Sequence, residues 1–139
     1  MKVLAWSPHL TKERADAAGV EFARTKADLF KTADIISIHM VLSNETLNLV
    51  TLSDLSLMKP SAFIINTSRG PLVEENALIK VLADKSIAGA GLDVFDIEPL
   101  PLDHPLRSLP NVTLTPHMGY VADDAYKVTN PLPPTQVRL

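Results

Sequence analysis

Ile35-Ile-Ser-Ile38, Ala62-Phe-Ile-Ile-Asn66 and Ile87-Ala-Gly-Ala-Gly-Leu-Asp93 are three short runs of one kind. Each is largely apolar at consecutive positions, and each is too short for an ordinary helix. Strands that are buried on both faces read this way, and they belong to parallel sheets covered by helices. Helical stretches separate the runs. Residues 53–58 form a short helix ended by Pro60. Residues 74–84 form another, with Leu78, Val81 and Leu82 on one face. Strand, helix and strand in alternation predict an α/β fold with a doubly wound parallel sheet.

The pattern extends outward in both directions. Residues 2–6 are a strand closed by Ser7-Pro8, and Thr11 caps a helix through 18 that Gly19 stops. A strand over 20–23 and a helix over 27–33 lead into Ile35. Downstream lie a proline-rich loop over 99–110, a strand over 112–115 and a helix over 121–128. The tail, 129–139, holds three prolines and no apolar periodicity, so it is expected to be disordered or polyproline-like.

Composition narrows the function. A chain of 139 residues is one domain by size. Thirteen basic and sixteen acidic residues leave a net charge of −3, with no basic excess to neutralise phosphates, so nucleic-acid binding is not expected. Cysteine is absent, which excludes disulfides, thiol catalysis and Cys-ligated metals. Apolar runs such as 87–92 are far too short to span a membrane, and the opening MKVLAWSP is too short for a signal-peptide core. A cytoplasmic location is the expectation.

In open parallel sheets, ligands bind beyond the carboxyl ends of the strands. Ser7 and His9 follow the first strand, and His39 follows Ile38. Thr67, Ser68 and Arg69 follow Asn66. Asp93 closes its strand, Glu98 comes soon after, and His117 follows Thr115-Pro116. Singly, each has a plain reading: His117 as a surface residue, Arg69 as a turn charge, Glu98 as a loop charge, His39 as a capped strand end. His104, in the proline-rich loop, reads as a surface residue. An Arg, a carboxylate and a His on successive strand ends are less easily dismissed.

Three motifs carry a resemblance. Asn66-Thr-Ser-Arg-Gly70, Gly91-Leu-Asp-Val-Phe-Asp-Ile-Glu-Pro99 and Thr115-Pro-His-Met-Gly119 resemble the coenzyme-binding domain of D-isomer-specific 2-hydroxyacid dehydrogenases. The spacing agrees, with 29 residues from Arg69 to Glu98 and 19 from Glu98 to His117. The resemblance implies a partial NAD(P)-binding domain over 1–128 and NAD or NADP as cofactor. It also implies a small 2-oxo or 2-hydroxy acid as substrate, of glyoxylate or hydroxypyruvate type, and a homodimeric parent enzyme. His117 would be the general acid–base, since an imidazole both gives and takes a proton near neutral pH. Glu98 would pair with it, because a neighbouring carboxylate favours the imidazolium. Arg69 would clamp the substrate's carboxylate and carbonyl. Asp93 would face the nicotinamide carboxamide, and His39, Val41 and Thr67 would line the cofactor.

The chain also departs from the family pattern. Its five glycines, at 19, 70, 89, 91 and 119, form no G-x-G-x-x-G, so the pyrophosphate cradle is missing. The expected sheet is therefore a partial Rossmann-like one without its first strand. In the order 3-2-1-4-5-6 that strand lies between the ones at 2–6 and 35–38. Ser7 stands where an acidic residue would grip the ribose of NAD. With His9, Lys12 and Arg14 nearby, NADP is allowed and NAD is not excluded. Val41 replaces a frequent proline, and the tail lacks the usual amphipathic helix. Two further readings stay open: a non-catalytic dinucleotide-sensing module, and a nonfunctional truncated product. The isolated chain is expected to be inactive.

Overall fold

The computed structural model describes residues 1–121. In chain order these are β1 (Leu4–Ala5), α1 (Lys12–Ala17), β2 (Glu21–Phe22), α2 (Lys26–Thr32), β3 (Ile35–Ile38), α3 (Leu52–Leu55), β4 (Phe63–Asn66), α4 (Glu75–Ala83), β5 (Gly89–Leu92) and β6 (Val112–Leu114). Two single 3₁₀ turns, Gly70–Leu72 and Pro105–Arg107, follow β4 and β5. The helix expected over 121–128 and the tail 129–139 lie outside the described residues, except that Val121 belongs to no element.

Local chemistry sets the helix starts. Thr11 accepts a hydrogen bond from the Arg14 N–H at 3.3 Å. Thr25 accepts from the Asp28 N–H at 3.0 Å, and Asp28 accepts from the Thr25 N–H at 3.1 Å. That reciprocal pair satisfies two backbone donors with no partner inside the helix, so α2 starts at Lys26, a residue earlier than its apolar pattern implies.

Among the described residues all strand pairs are parallel, as the apolar runs predict. They form two sheets: β1 with β2, and a four-stranded sheet in the order β3-β4-β5-β6. The register is continuous across the larger sheet, with Ile36 beside Ile64, Ile64 beside Ala90 and Ala90 beside Val112. Ile36, Ile38, Ile64, Ala90 and Leu92 pack against Phe30, Leu55, Leu78, Val81 and Leu82 from α2, α3 and α4. On the opposite face Ile35 and Phe63 stay 58% and 46% exposed. β3 and β4 are therefore buried on one face and not on both as their apolar runs predict, because the described helices α2, α3 and α4 cover only one side. β1 and β3 do not pair, which agrees with a doubly wound sheet that lacks the strand between them.

One expectation is corrected. His104 is not a surface residue: its side chain is 15% exposed and contacts Glu75 at 3.1 Å. Its Nδ1 accepts from the Leu106 N–H at 3.3 Å, so the imidazole caps the second 3₁₀ turn. Proline at the first position of that turn supplies no N–H, which leaves the Leu106 donor for the ring.

Candidate functional site

The site grows from the carboxyl ends of β4, β5 and β6. Asn66 ends β4 and is buried. Its Oδ1 accepts from the Ser68 N–H at 3.1 Å, and its Nδ2 donates to the Arg69 carbonyl at 2.9 Å. The Ser68 hydroxyl donates to the Ile38 carbonyl at 2.8 Å, tying the turn to β3. A short polar side chain that bonds its own downstream backbone makes a rigid turn. Thr67 and Arg69 are thereby presented outward.

Gly70 then meets the segment after β5. A Cβ at this position would stand 2.1 Å from the Phe95 carbonyl carbon, so only glycine permits the approach. This contact places the 93–98 segment beside Arg69. Glu98 Oε1 accepts from the Phe95 N–H at 3.0 Å, and Oε2 lies 2.7 Å from His117 Nδ1. The bond from His117, then the one from Phe95, hold the Glu98 carboxyl below its ordinary range. With Nδ1–H given to Glu98, Nε2 is the ring nitrogen left for a ligand.

His117 has φ of 53°, in the left-handed region. That conformation costs a non-glycine residue on the order of 1–3 kcal/mol and persists only where the surroundings impose it. Asp93 is part of those surroundings. Its carboxylate accepts from the Thr115 hydroxyl, from the Met118 N–H at 2.9 Å and from the Gly119 N–H at 2.8 Å. Burial pushes the Asp93 carboxyl up, but these three donors outweigh it and hold the group below its ordinary range. The Tyr120 ring stands edge-on to the His117 ring, with centroids 5.9 Å apart.

Thr67, Arg69, Asp93, His117, Gly119 and Tyr120 line one open cleft of about 470 Å³. Four of the residues expected from sequence thus share a cleft, and Glu98 sits behind His117. Ser7, His39 and Val41 are not among its lining residues. Ser7 is half-buried, and its carbonyl accepts from the Leu10 N–H at 3.2 Å. His39 is exposed and bonded to the Ser37 hydroxyl at 2.8 Å. Val41 is 82% exposed. Sequence reasoning missed Asn66, Gly119 and Tyr120 as parts of the site. An Asn at a strand end before a polar turn was the available signal for the first. Nothing local marked the tyrosine.

Asp93 Oδ2 accepts a single hydrogen bond, from the Gly119 N–H, and a carboxylate oxygen has a second lone pair that could accept from a ligand amide. No helix among the described residues is long and apolar enough to cross a membrane, and no group of three His, Asp or Glu side chains there could hold a metal ion.

Comparisons with known proteins place the chain in a family. The chain is 37% identical over 138 residues to a D-3-phosphoglycerate dehydrogenase of Methanocaldococcus jannaschii, covering 99% of this chain and 26% of that protein. It is 43% identical over 125 residues to a glyoxylate reductase of Thermococcus litoralis, covering 90% and 37%. The crystal structure of an oxidoreductase from Ralstonia solanacearum superposes with a TM-score of 0.86 at 42% identity, covering 91% of this chain and 37% of that one. The chain therefore spans well under half the length of these relatives. The model of the D-isomer specific 2-hydroxyacid dehydrogenase NAD binding domain matches residues 1–119, and the chain belongs to that family.

Proposed function

We propose that this chain carries the acid–base and substrate-orienting groups of an enzyme that interconverts a small 2-oxo acid and a D-2-hydroxy acid with NAD or NADP. The observation that carries this reading is the 2.7 Å contact from His117 Nδ1 to Glu98, with Arg69 lining the same cleft as His117. The two substrates named for relatives, glyoxylate and phosphoglycerate, are both small acids, and glyoxylate or hydroxypyruvate is the leading candidate here.

In the reductive direction the Arg69 guanidinium binds the substrate carboxylate and polarises the carbonyl beside it. His117 Nε2 gives a proton to the carbonyl oxygen, and Glu98 stabilises the imidazolium that must exist before the transfer. In the oxidative direction Nε2 takes the proton from the hydroxyl. A nicotinamide, when bound, would supply or accept the hydride. Asp93 Oδ2 and Thr67 are the groups that would meet its carboxamide. Ser7 is a neutral hydroxyl, and it selects neither for nor against a ribose phosphate. Lys12 is paired with Asp16 at 2.6 Å, and Arg14 bonds the His9 carbonyl at 3.2 Å, so both nearby cations already have local partners. This supports a reading in which either dinucleotide is accepted.

A chimaera tests the reading. Residues 1–119 replace the matching stretch of the Thermococcus litoralis glyoxylate reductase, and glyoxylate-dependent NADH and NADPH oxidation is followed. Turnover is expected with either cofactor, and His117→Ala should lower kcat by about 10²–10⁴. A folded chimaera that binds NADH without turnover, or a His117→Ala variant with unchanged kcat, would sink the assignment.

A further inference from the structure

We propose that Asp93 is a positioning residue for His117: its carboxylate clamps the 115–119 turn and so aims the imidazole at Glu98. The proposal rests on the reading of His117 as the acid–base, but its geometry stands apart from any ligand. Asp93 lies at the end of β5 and is buried, whereas the turn follows β6. Three donors from that turn converge on one carboxylate: the Thr115 hydroxyl and the Met118 N–H on Oδ1, and the Gly119 N–H on Oδ2. They bracket His117 in sequence on both sides. Between them the chain makes its left-handed step at His117, which turns two successive N–H groups toward one anion. Pro116 has no N–H to compete for the carboxylate.

Space at the clamp is tight. A Cβ on Gly119 would stand 3.0 Å from Asp93 Oδ2, so glycine lets the backbone reach the carboxylate. The His117 ring is then held between Glu98 at 2.7 Å and the edge-on Tyr120 ring. No other described side chain accepts a bond from the Met118 or Gly119 N–H. The carboxylate at 93 therefore determines where the ring sits, even though it makes no hydrogen bond with the ring.

Asparagine at 93 keeps the size but replaces one acceptor oxygen with a donor, so one of the two backbone bonds must fail. In the 139-residue protein, two-bond ¹H–¹⁵N spectra read the His117 tautomer and its titration, while amide exchange reads the turn. In Asp93→Asn the His117 Nδ1–H signal should shift or broaden, and exchange at Met118 or Gly119 should rise by about tenfold, the effect of one lost bond. Exchange at the sheet amides of Phe63 and Ala88 should not change. Thr115→Val removes one donor of three and should move the same signals less, in the same direction. It also decides the matter should Asp93→Asn fail to fold. In the chimaera, Asp93→Asn should lower kcat more than it raises the KM for glyoxylate. An unchanged His117 spectrum in either folded variant overturns the proposal. An inactive chimaera with the expected spectral changes overturns only the assigned reaction.

Discussion

β1 and β2 pair over two residues, Leu4 with Glu21 and Ala5 with Phe22, whereas β3 and β4 pair over four. Behind β1 and β2, α1 supplies one buried residue, Ala15. Behind the larger sheet, α4 alone supplies Ala77, Leu78, Val81 and Leu82. Ile64 on β4 is fully buried, and neither Leu4 nor Phe22 is. Both sheets are parallel. What separates them is neighbours. β4 has a strand on each side and a helix layer on one face, while β1 has one strand and one short helix. A two-stranded unit is marginal without further packing. The catalytic candidates all sit on the better-supported sheet, which is where a site that must hold its geometry needs to be.

The largest expected effect tests this contrast directly. Ile64→Ala should cost about 2–5 kcal/mol, the usual range for emptying a filled core position. Leu4→Ala, at a half-buried position, should cost about 1 kcal/mol or less. Urea denaturation of the three proteins measures both. Equal losses would mean that the small sheet unfolds together with the core as one unit. Amide exchange sharpens the result, because the Ala23 N–H bonded to Ala5 and the Ala88 N–H bonded to Ala62 sit at equal distances of 2.9 Å. Exchange at Ala23 should be about tenfold faster or more, through opening of the small sheet alone.

A smaller effect concerns charge. Lys26 Nζ lies 2.7 Å from Asp54 Oδ2, with both side chains mostly buried. Burial raises the Asp54 carboxyl, but bonds from Lys26 and from the Thr51 N–H and hydroxyl outweigh it and depress the group. A carboxyl depressed in the folded state stabilises the fold above its unfolded pKa of about 4, and this stability is lost as pH falls through the folded value. Asp54→Asn should therefore cost roughly 1.5–3 kcal/mol at pH 7. The gap to the parent should close as pH drops below about 4. Denaturation at pH 7 and pH 3 gives the answer, and a gap that stays constant would refute it. The small sheet has an ion pair too, Lys2 with Glu21 at 3.4 Å, but the two side chains are 89% and 60% exposed. Lys2→Ala should change stability by less than about 0.5 kcal/mol, the smallest effect of the set. A larger loss by the same assay would show that the small sheet depends on its edge charge.

How much was legible follows from what each residue needs. Ile35–Ile38 and Phe63–Asn66 were readable because an apolar β-branched run has few other uses, and strand ends 38 and 66 came out to the residue. β1 was shorter than the apolar run at 2–6 because pairing stops where the partner strand does, at Phe22. Arg69, Glu98 and His117 were legible as candidates because strand ends are where such groups act. Their convergence on one cleft was not, since residues 69 and 117 are brought to it through the Gly70 approach to Phe95 and the clamp at Asp93. His104 was misread because its partner, Glu75, lies on a different element, 29 residues away.

Local sequence by itself determined the alternation of strands and helices, the parallel class of the sheet and the helix starts at Thr11 and Thr25. Those depend on periodicity and on side chains bonding their own neighbourhood, both of which are written within a few residues. Tertiary structure decided that the strands divide into two sheets, that His104 is half-buried against Glu75, and that His117 is held left-handed between Glu98 and Asp93. Each of these depends on groups many residues apart converging at distances near 3 Å, and no local pattern encodes which distant donor meets which acceptor.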